Sequence, residues 1–278
     1  MIPRVRAHAG AEMPVLGLGT WRMGEDPARR AAEVAALRLG FDLGATLVDT
    51  AEMYADGGAE TVVAEAIAGR RDEIFVVSKV LPENASLSGT ILAAERSLRR
   101  LATDRIDLYL LHWAGPYPLE ETLEAFRRLE RDGKILHCGV SNLDLAEVEQ
   151  ALGHAGGERL AANQVFYNLG RRGIERRLLP WCRERGIVVM AYSPLEQGRL
   201  EIRPALEQAA RAHGVSPAVA ALAWTVREPG LVAVVKASDP RHVRENARAA
   251  SLRLSAAELA ALDLAYPAPA RDVPLETL

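Results

Sequence analysis

Short apolar runs rich in β-branched residues alternate with longer amphipathic stretches along almost the whole chain. Several of these runs are apolar throughout rather than at every second position, which is typical of parallel strands that helices cover on the outside. The predicted strands are 14–21, 45–50, 73–80, 105–113, 134–142, 160–168, 186–193 and 231–238. The predicted helices lie near 28–43, 58–70, 88–101, 119–132, 144–153, 174–185, 201–213, 216–228 and 240–249. The pattern indicates an α/β fold built from repeated strand–helix units.

The number of strand–helix units decides between two common α/β architectures. Eight units in about 250 residues are expected of a (β/α)8 TIM barrel. A doubly wound sheet would normally carry a G-x-G-x-x-G turn after its first strand, and the segment G-L-G-T-W (17–21) lacks the third glycine. We also expect a short N-terminal hairpin and an extra C-terminal helix, which Ser255 and Glu258 would open as a capping box. No linker-like change in composition interrupts residues 1–278, so we predict a single domain.

Composition narrows the class of protein further. The 278 residues are 49% hydrophobic and 26% charged, the balance of a globular protein with a large core. A net charge of -3 gives no basic footprint, so we expect no nucleic-acid partner. We find neither an apolar leader nor an apolar run of roughly 18 residues, and therefore predict a cytoplasmic protein without membrane contact. Cys138 and Cys182 are too few for a disulfide framework, and no cluster has the spacing of metal ligands.

Polar residues collect at the carboxyl ends of the predicted strands, where barrel enzymes place their active sites. Each one alone has an ordinary structural explanation, such as a helix cap or a hydrogen bond in the core. A whole set at one end of the barrel is not expected on those grounds. These residues are Asp49, Lys79, His112, Ser141, Asn142, Gln164, Tyr192, Ser193 and Lys236.

Four residues in this region could deliver a proton. Lys79 lies in a largely apolar strand and needs a charge partner, for which Asp49 on the neighbouring strand is the natural candidate. Tyr54 follows Asp49 closely enough to fold back over the barrel mouth, and a nearby cation lowers the pKa of a phenol. We therefore predict that Tyr54 acts as an acid or base, with His112 orienting a carbonyl group. We find no serine or cysteine placed to become an activated nucleophile.

The order and spacing of several short motifs resemble the aldo-keto reductase family over nearly the whole chain. Segments 52–60 and 194–200 are most similar to bacterial members of the methylglyoxal-reductase type. The motifs are G-L-G-T-W (17–21), V-D-T-A-E-M-Y (48–54), V-S-K (77–79), L-Y-L-L-H-W (108–113), G-V-S-N (139–142), N-Q-V (163–165), A-Y-S-P-L (191–195), V-K-A-S (235–238) and H-V-R-E-N (242–246).

The resemblance implies a catalytic tetrad of Asp49, Tyr54, Lys79 and His112. A reduced nicotinamide would give hydride to a carbonyl carbon while Tyr54 donates the proton, Lys79 paired with Asp49 eases that donation, and His112 positions the carbonyl. By the same resemblance, the nicotinamide carboxamide would be bound by Ser141, Asn142 and Gln164. The nicotinamide ring would stack on Tyr192. The pyrophosphate of the cofactor would be held by Ser193 and Leu195. The implied cofactor-binding residues are Thr20, Trp21, Asp49, Ser141, Asn142, Gln164, Tyr192, Ser193, Leu195, Lys236, Ser238, His242, Glu245 and Asn246.

The chain departs from the family pattern where the 2′-phosphate of NADPH would bind. Lys236 keeps the lysine of the family, but His242 stands where many members have arginine. Histidine offers a weaker, pH-dependent contact in place of a permanent, two-pronged one. Asp239 adds a negative charge nearby or caps the next helix. We expect NADPH as cofactor, with NADH as a weaker alternative.

The resemblance also implies an apolar substrate pocket and a range of functions. The expected function is NADPH-dependent reduction of small aldehydes and 2-oxoaldehydes by a monomeric enzyme. The alternatives are a reductase of one specific ketone or sugar, and a cofactor-binding regulatory or sensor subunit. The stretch 268–278 predicts a short lid and an open site, and the arginines in 96–100 and 171–177 are interpreted as solvated helix faces. The expected pocket residues are Trp21, Met53, Tyr54, His112 and Trp113.

Overall fold

An antiparallel hairpin closes one end of the molecule in the computed structural model, which describes residues 2–278. Its strands are β1 (Arg4–Arg6) and β2 (Glu12–Pro14). Ala7, Ala11 and Met13 are buried in the same apolar cluster as the residues that fill the barrel interior, such as Leu47 and Met190. The predicted hairpin is therefore confirmed, and it plugs the barrel.

A closed barrel of parallel strands forms the centre of the fold. Each of its eight strands pairs with the next one along the chain, and the last strand pairs with the first through partners such as Ala233 and Leu16. The predicted (β/α)8 architecture is confirmed. The barrel strands are β3 (Leu16–Gly19), β4 (Leu47–Asp49), β5 (Phe75–Val80), β6 (Ile106–Leu111), β7 (Ile135–Ser141), β8 (Leu160–Phe166), β9 (Val188–Tyr192) and β10 (Leu231–Val235).

Helices surround the barrel and bury their apolar faces against the outer side of the strands. The capping box of the extra C-terminal helix is present, because Ser255 accepts from the Glu258 backbone and Glu258 accepts from the Ser255 backbone. Among residues 2–278, no helix combines the length and apolar character that crossing a membrane requires. The helices are α1 (Arg30–Asp42), α2 (Gly58–Ile67), α3 (Leu87–Leu101), α4 (Leu119–Arg131), α5 (Leu145–Gly153), α6 (Leu178–Glu184), α7 (Pro204–Ala212), α8 (Pro217–Thr225), α9 (Pro240–Arg248) and α10 (Ala256–Ala265).

The strands end earlier at the mouth than the sequence pattern predicts. β3 ends at Gly19 rather than at 21, and β10 ends at Val235 rather than at 238. Thr20 and Lys236 directly follow these strands, and Thr20 is still attached to β4, because its backbone and its side chain both donate to the Asp49 carbonyl before the chain turns away. Thr20 and Lys236 therefore lie on loops above the barrel rather than in its wall.

Candidate active site

A fully buried ion pair lies at the centre of the barrel mouth. The Lys79 ammonium on β5 donates to the two carboxylate oxygens of Asp49 at 2.9 and 2.8 Å and to the Thr50 carbonyl at 2.9 Å. Burial alone would lower the pKa of Lys79, but Asp49 and the Tyr54 phenol oppose it and the pKa is raised overall. Lys79 is therefore a fixed positive charge, and the pairing predicted from the sequence is present.

The Tyr54 phenol lies directly beside this ion pair. Its oxygen lies 3.3 Å from the Lys79 ammonium, and its ring packs edge-on against Trp21 with centroids 5.1 Å apart. Burial raises the pKa of Tyr54, while Lys79 lowers it by a smaller amount. Lys79 therefore lowers the phenol pKa as expected from the sequence, but the pKa of Tyr54 is raised overall, because burial of the phenolate costs more free energy than one neighbouring cation restores.

His112 follows β6 and faces the same phenol. Its ring centroid is 5.9 Å from that of Tyr54 and 4.7 Å from that of Trp113. Burial, assisted by the Lys79 charge, lowers the pKa of His112 to about 2. Its Nδ1 is buried and has no partner within residues 2–278. A neutral imidazole of this kind can hydrogen-bond to a substrate oxygen without adding charge.

Polar residues at the ends of β7, β8 and β9 continue this network. Asn142 donates to the His112 carbonyl at 3.2 Å, and the Tyr192 hydroxyl donates to the Asn142 side-chain oxygen at 2.9 Å. Ser141 is buried beside them and accepts from Asn142 at 3.2 Å. Asn142 thus connects the His112 backbone to two other predicted nicotinamide-binding residues, Ser141 and Tyr192.

Gln164 has a contact that the sequence did not indicate. Its side-chain nitrogen donates to Asp49 Oδ1 at 2.8 Å, so Gln164 helps hold the carboxylate that pairs with Lys79. A glutamine within an apolar strand indicates that a polar partner is buried beside it. The sequence alone did not identify Asp49 as that partner, because the two residues are far apart in the chain. The stacking partner of Tyr192 was also missed, since Phe166 lies 5.5 Å away with rings nearly parallel.

A second group of polar side chains lies beyond the end of β10. The Lys236 side chain has no hydrogen bond or ion pair within residues 2–278. Its pKa is lowered, mainly by partial burial and to a smaller extent by the positive charge of Arg29 nearby. The Ser238 hydroxyl oxygen is buried and also lacks a partner in the described part of the chain. Lys236 and Ser238 are two residues apart in the chain, and an ammonium and a hydroxyl are both groups that can donate hydrogen bonds to a phosphate. This end of the site therefore fits the 2′-phosphate of NADPH.

The negative charge of Asp239 is paired with a neighbouring arginine at the start of α9. It caps α9 by accepting from the Arg241 backbone at 2.8 Å, and it pairs with the Arg241 guanidinium at 2.7 Å. The hydrogen bond from Arg241 lowers the pKa of Asp239 to about 2. Asp239 therefore caps α9, as one interpretation expected, and its carboxylate also remains a negative charge near His242. His242 and Glu245 lie exposed on α9, while Asn246 is buried there.

Apolar side chains surround the opening above Tyr54 and His112. Trp21 is 44% exposed and Met53 and Trp113 are half-buried, so they form a partly open apolar rim. Ser193 and Leu195 lie on the loop after β9, and the Ser193 carbonyl accepts from Asn168 at 3.0 Å. Within residues 2–278, no three histidine, cysteine or acidic side chains form a group that could hold a metal ion.

The arginines that were interpreted as solvated helix faces make specific contacts instead. Arg171 pairs with Glu196 at 2.9 Å and Glu276 at 2.7 Å, and Arg177 pairs with Asp272 at 3.1 Å, so these arginines hold the C-terminal stretch beside the mouth. On the other side of the barrel, arginines of α3 pair with buried glutamates at 52 and 60. Helical charge runs do not reveal these pairings, because the acidic partners are distant in sequence.

Comparisons with known proteins agree with this geometry. The chain is 52% identical over 270 residues to methylglyoxal reductase YeaE of Escherichia coli, covering 95% of each chain. It is 32% identical over 259 residues to glyoxal reductase of Bacillus subtilis, covering 93% of this chain and 91% of the relative. A crystal structure of an aldo-keto reductase from Klebsiella pneumoniae in complex with NADPH matches with a TM-score of 0.96 and 49% identity, covering 100% of both chains. The family model described as the aldo/keto reductase family matches residues 15–267. The chain therefore belongs to the aldo-keto reductase family.

Proposed function

We propose that this protein reduces small aldehydes and 2-oxoaldehydes, methylglyoxal among them, to alcohols with NADPH as the hydride donor. The observation that carries the proposal is the contact of the Tyr54 phenol with the buried Lys79–Asp49 pair, 3.3 Å from the ammonium and beside a neutral His112. The relatives named as methylglyoxal and glyoxal reductases and the neighbour crystallised with NADPH support the substrate class and the cofactor.

The residues of the chain divide the work of proton delivery. NADPH, when bound, supplies the hydride. Tyr54 holds the proton that passes to the carbonyl oxygen, since its raised pKa keeps the phenol protonated at neutral pH. Lys79 stabilises the phenolate that remains, and Asp49 keeps the ammonium charged within an otherwise apolar barrel.

Substrate orientation falls to His112 and to the aromatic rim. A neutral imidazole donates a hydrogen bond to the carbonyl oxygen, which fixes the oxygen near the Tyr54 phenol. Trp21, Met53 and Trp113 present apolar surface to the rest of the substrate. This rim favours small or flat aldehydes over bulky ketones.

The remaining polar residues hold the cofactor in this proposal. Ser141, Asn142 and Gln164 bind the carboxamide, and Tyr192 stacks on the nicotinamide ring. Thr20 and Trp21 also belong to the nicotinamide end of the cofactor site in this proposal. The loop after β9 takes the pyrophosphate through Ser193 and Leu195. The 2′-phosphate and adenine end is formed by Lys236, Ser238, His242, Glu245 and Asn246.

A panel of carbonyl compounds tests the proposal. Turnover is followed by loss of reduced-cofactor absorbance with methylglyoxal, aromatic aldehydes, bulky ketones and sugars, each with NADPH and with NADH. We expect the highest kcat/KM for methylglyoxal and aromatic aldehydes with NADPH. A clear preference for one large ketone or sugar would support the specific-reductase alternative. NADPH binding without turnover of any compound would support the sensor alternative.

Three expectations from the sequence remain predictions. The monomeric state is checked by light scattering on the purified protein, the cytoplasmic location by cell fractionation, and the single domain by one cooperative unfolding transition.

A further inference from the structure

Two buried glutamates bracket the turn that carries Tyr54. Glu52 lies just before it, and Glu60 lies in the first turn of α2 just after it. Glu60 has no exposed surface and Glu52 is 8% exposed. Each carboxylate pairs with an arginine of α3: Arg100 with Glu60 at 2.6 Å, and Arg96 with Glu52 at 3.6 Å. Because the desolvation cost of a buried ion pair can exceed its Coulombic gain, stability alone does not account for these two pairs.

The backbone between the two glutamates is strained. Ala55, Asp56 and Gly57 follow Tyr54 directly and all adopt left-handed conformations, with φ of 51°, 51° and 83°. Residues other than glycine seldom adopt this region, and such strain persists only where surrounding structure holds it. The turn therefore depends on contacts outside itself to keep the Tyr54 side chain in place.

Arg100 and Glu60 supply those contacts at the C-terminal end of the turn. A Cβ atom added at Gly57 would lie 2.4 Å from Arg100 Nε, so the turn packs directly on this guanidinium. Glu60 accepts from Arg100 Nε at 2.6 Å through one oxygen and from the Ser78 hydroxyl at 2.6 Å through the other. Ser78 immediately precedes Lys79 on β5 and points to the opposite face of the strand. The network thus joins the Tyr54 turn to the strand that carries Lys79.

Glu52 attaches the N-terminal end of the turn in a similar way. Its Oε1 accepts from the Leu81 backbone at 2.8 Å and from the Asn84 side chain at 2.9 Å. Both partners lie just beyond the end of β5. Both ends of the Tyr54 turn are therefore fastened to the same neighbouring strand and its continuation.

We propose that Glu60 and Arg100 are positioning residues that hold the strained turn and keep the Tyr54 phenol against the Lys79 ammonium. Neither side chain is among the proposed substrate-binding or cofactor-binding residues, and both act through Tyr54. This inference rests on the proposed function of Tyr54 as proton donor.

The test compares Glu60→Gln, Arg100→Met and the milder Ser78→Ala with Arg99→Met. Arg99 is the matched control because it is an exposed neighbour on α3 with no side-chain hydrogen bond or ion pair within residues 2–278. We expect kcat to fall about tenfold to a hundredfold in Glu60→Gln and Arg100→Met, since small misplacements of a reacting group have effects of that size. The dissociation constant of NADPH, measured by fluorescence titration, stays unchanged. Arg100→Lys recovers part of the loss.

A double-mutant cycle separates positioning from general damage to the fold. In a Tyr54→Phe background, Glu60→Gln should cause no further loss of the residual kcat. If Ser78→Ala, Glu60→Gln and Arg100→Met all keep kcat within about twofold of wild type, or if the loss persists in full in the Tyr54→Phe background, the proposal is overturned.

A phenol titration gives a readout that needs no turnover. Tyrosinate absorbance is followed with pH in each protein and in its Tyr54→Phe counterpart, and the difference isolates Tyr54. We expect Glu60→Gln to lower the Tyr54 pKa toward its ordinary value of 10.0, because a displaced phenol regains water. An unshifted titration overturns the positioning role. A shifted titration in a protein whose Tyr54→Phe variant still reduces aldehydes would instead reject the proposed function and keep the positioning role.

Discussion

The Lys79 ammonium lies 3.3 Å from the Tyr54 phenol oxygen and 5.0 Å from the centre of its ring. Two opposing effects meet at this contact. Burial disfavours the phenolate, and the ammonium favours it, with burial the larger of the two. The phenol therefore keeps its proton over the neutral range, yet has a cation beside it when the proton leaves. A donor for carbonyl reduction needs both properties.

Replacing Tyr54 with phenylalanine removes the proton donor and little else. We expect kcat/KM for aldehydes to fall by about 10²–10⁴-fold, the usual contribution of a general acid. NADPH binding, followed by fluorescence titration, should stay close to wild type, because no cofactor contact is assigned to the phenol oxygen. Near-normal turnover would remove Tyr54 from the mechanism.

Replacing Lys79 with methionine should damage stability as well as activity. The change leaves Asp49 buried with only Gln164 and without a counter-charge, and breaking a buried pair in this way costs about 3–5 kcal/mol of unfolding free energy. Denaturant unfolding measures that loss. The double variant Lys79→Met with Asp49→Asn should regain much of the stability without regaining activity. Equal instability of the single and double variants would contradict this.

The pH dependence of reduction should show no histidine step. His112 has a pKa of about 2 and stays neutral throughout the working range, while the pKa of Tyr54 is raised. Since the reaction needs a protonated phenol, kcat at saturating NADPH should stay level from about pH 5 to 9 and decline only as Tyr54 ionises. A step between about pH 6 and 7 that disappears in His112→Gln would show that the imidazole titrates in the working enzyme.

The architecture and the Lys79–Asp49 pair were predictable because each depends on local pattern. A lysine in a largely apolar strand needs a nearby carboxylate, and the barrel repeat places Asp49 on the adjacent strand. The contacts of Gln164, Glu52 and Glu60 were not predictable, since nothing in the spacing of the residues indicates which distant partners they meet. The sequence indicated that Lys79 lowers the Tyr54 pKa but not that burial raises it by more, because the extent of burial is a property of the packed structure.

Cofactor preference should depend on Lys236. Its ammonium and the Ser238 hydroxyl have no partners within residues 2–278, and a charged hydrogen bond to a phosphate is worth about 1.5–3 kcal/mol. Lys236→Met should therefore raise the KM for NADPH roughly ten- to a hundredfold, because each 1.4 kcal/mol is about a factor of ten. NADH, which lacks the 2′-phosphate, serves as the matched control and should keep its KM. The substitution His242→Arg should lower the KM for NADPH further, because a guanidinium can donate two hydrogen bonds to a phosphate group. Steady-state kinetics with both cofactors check these expectations, and an equal response of NADPH and NADH to Lys236→Met would show that Lys236 does not read the phosphate.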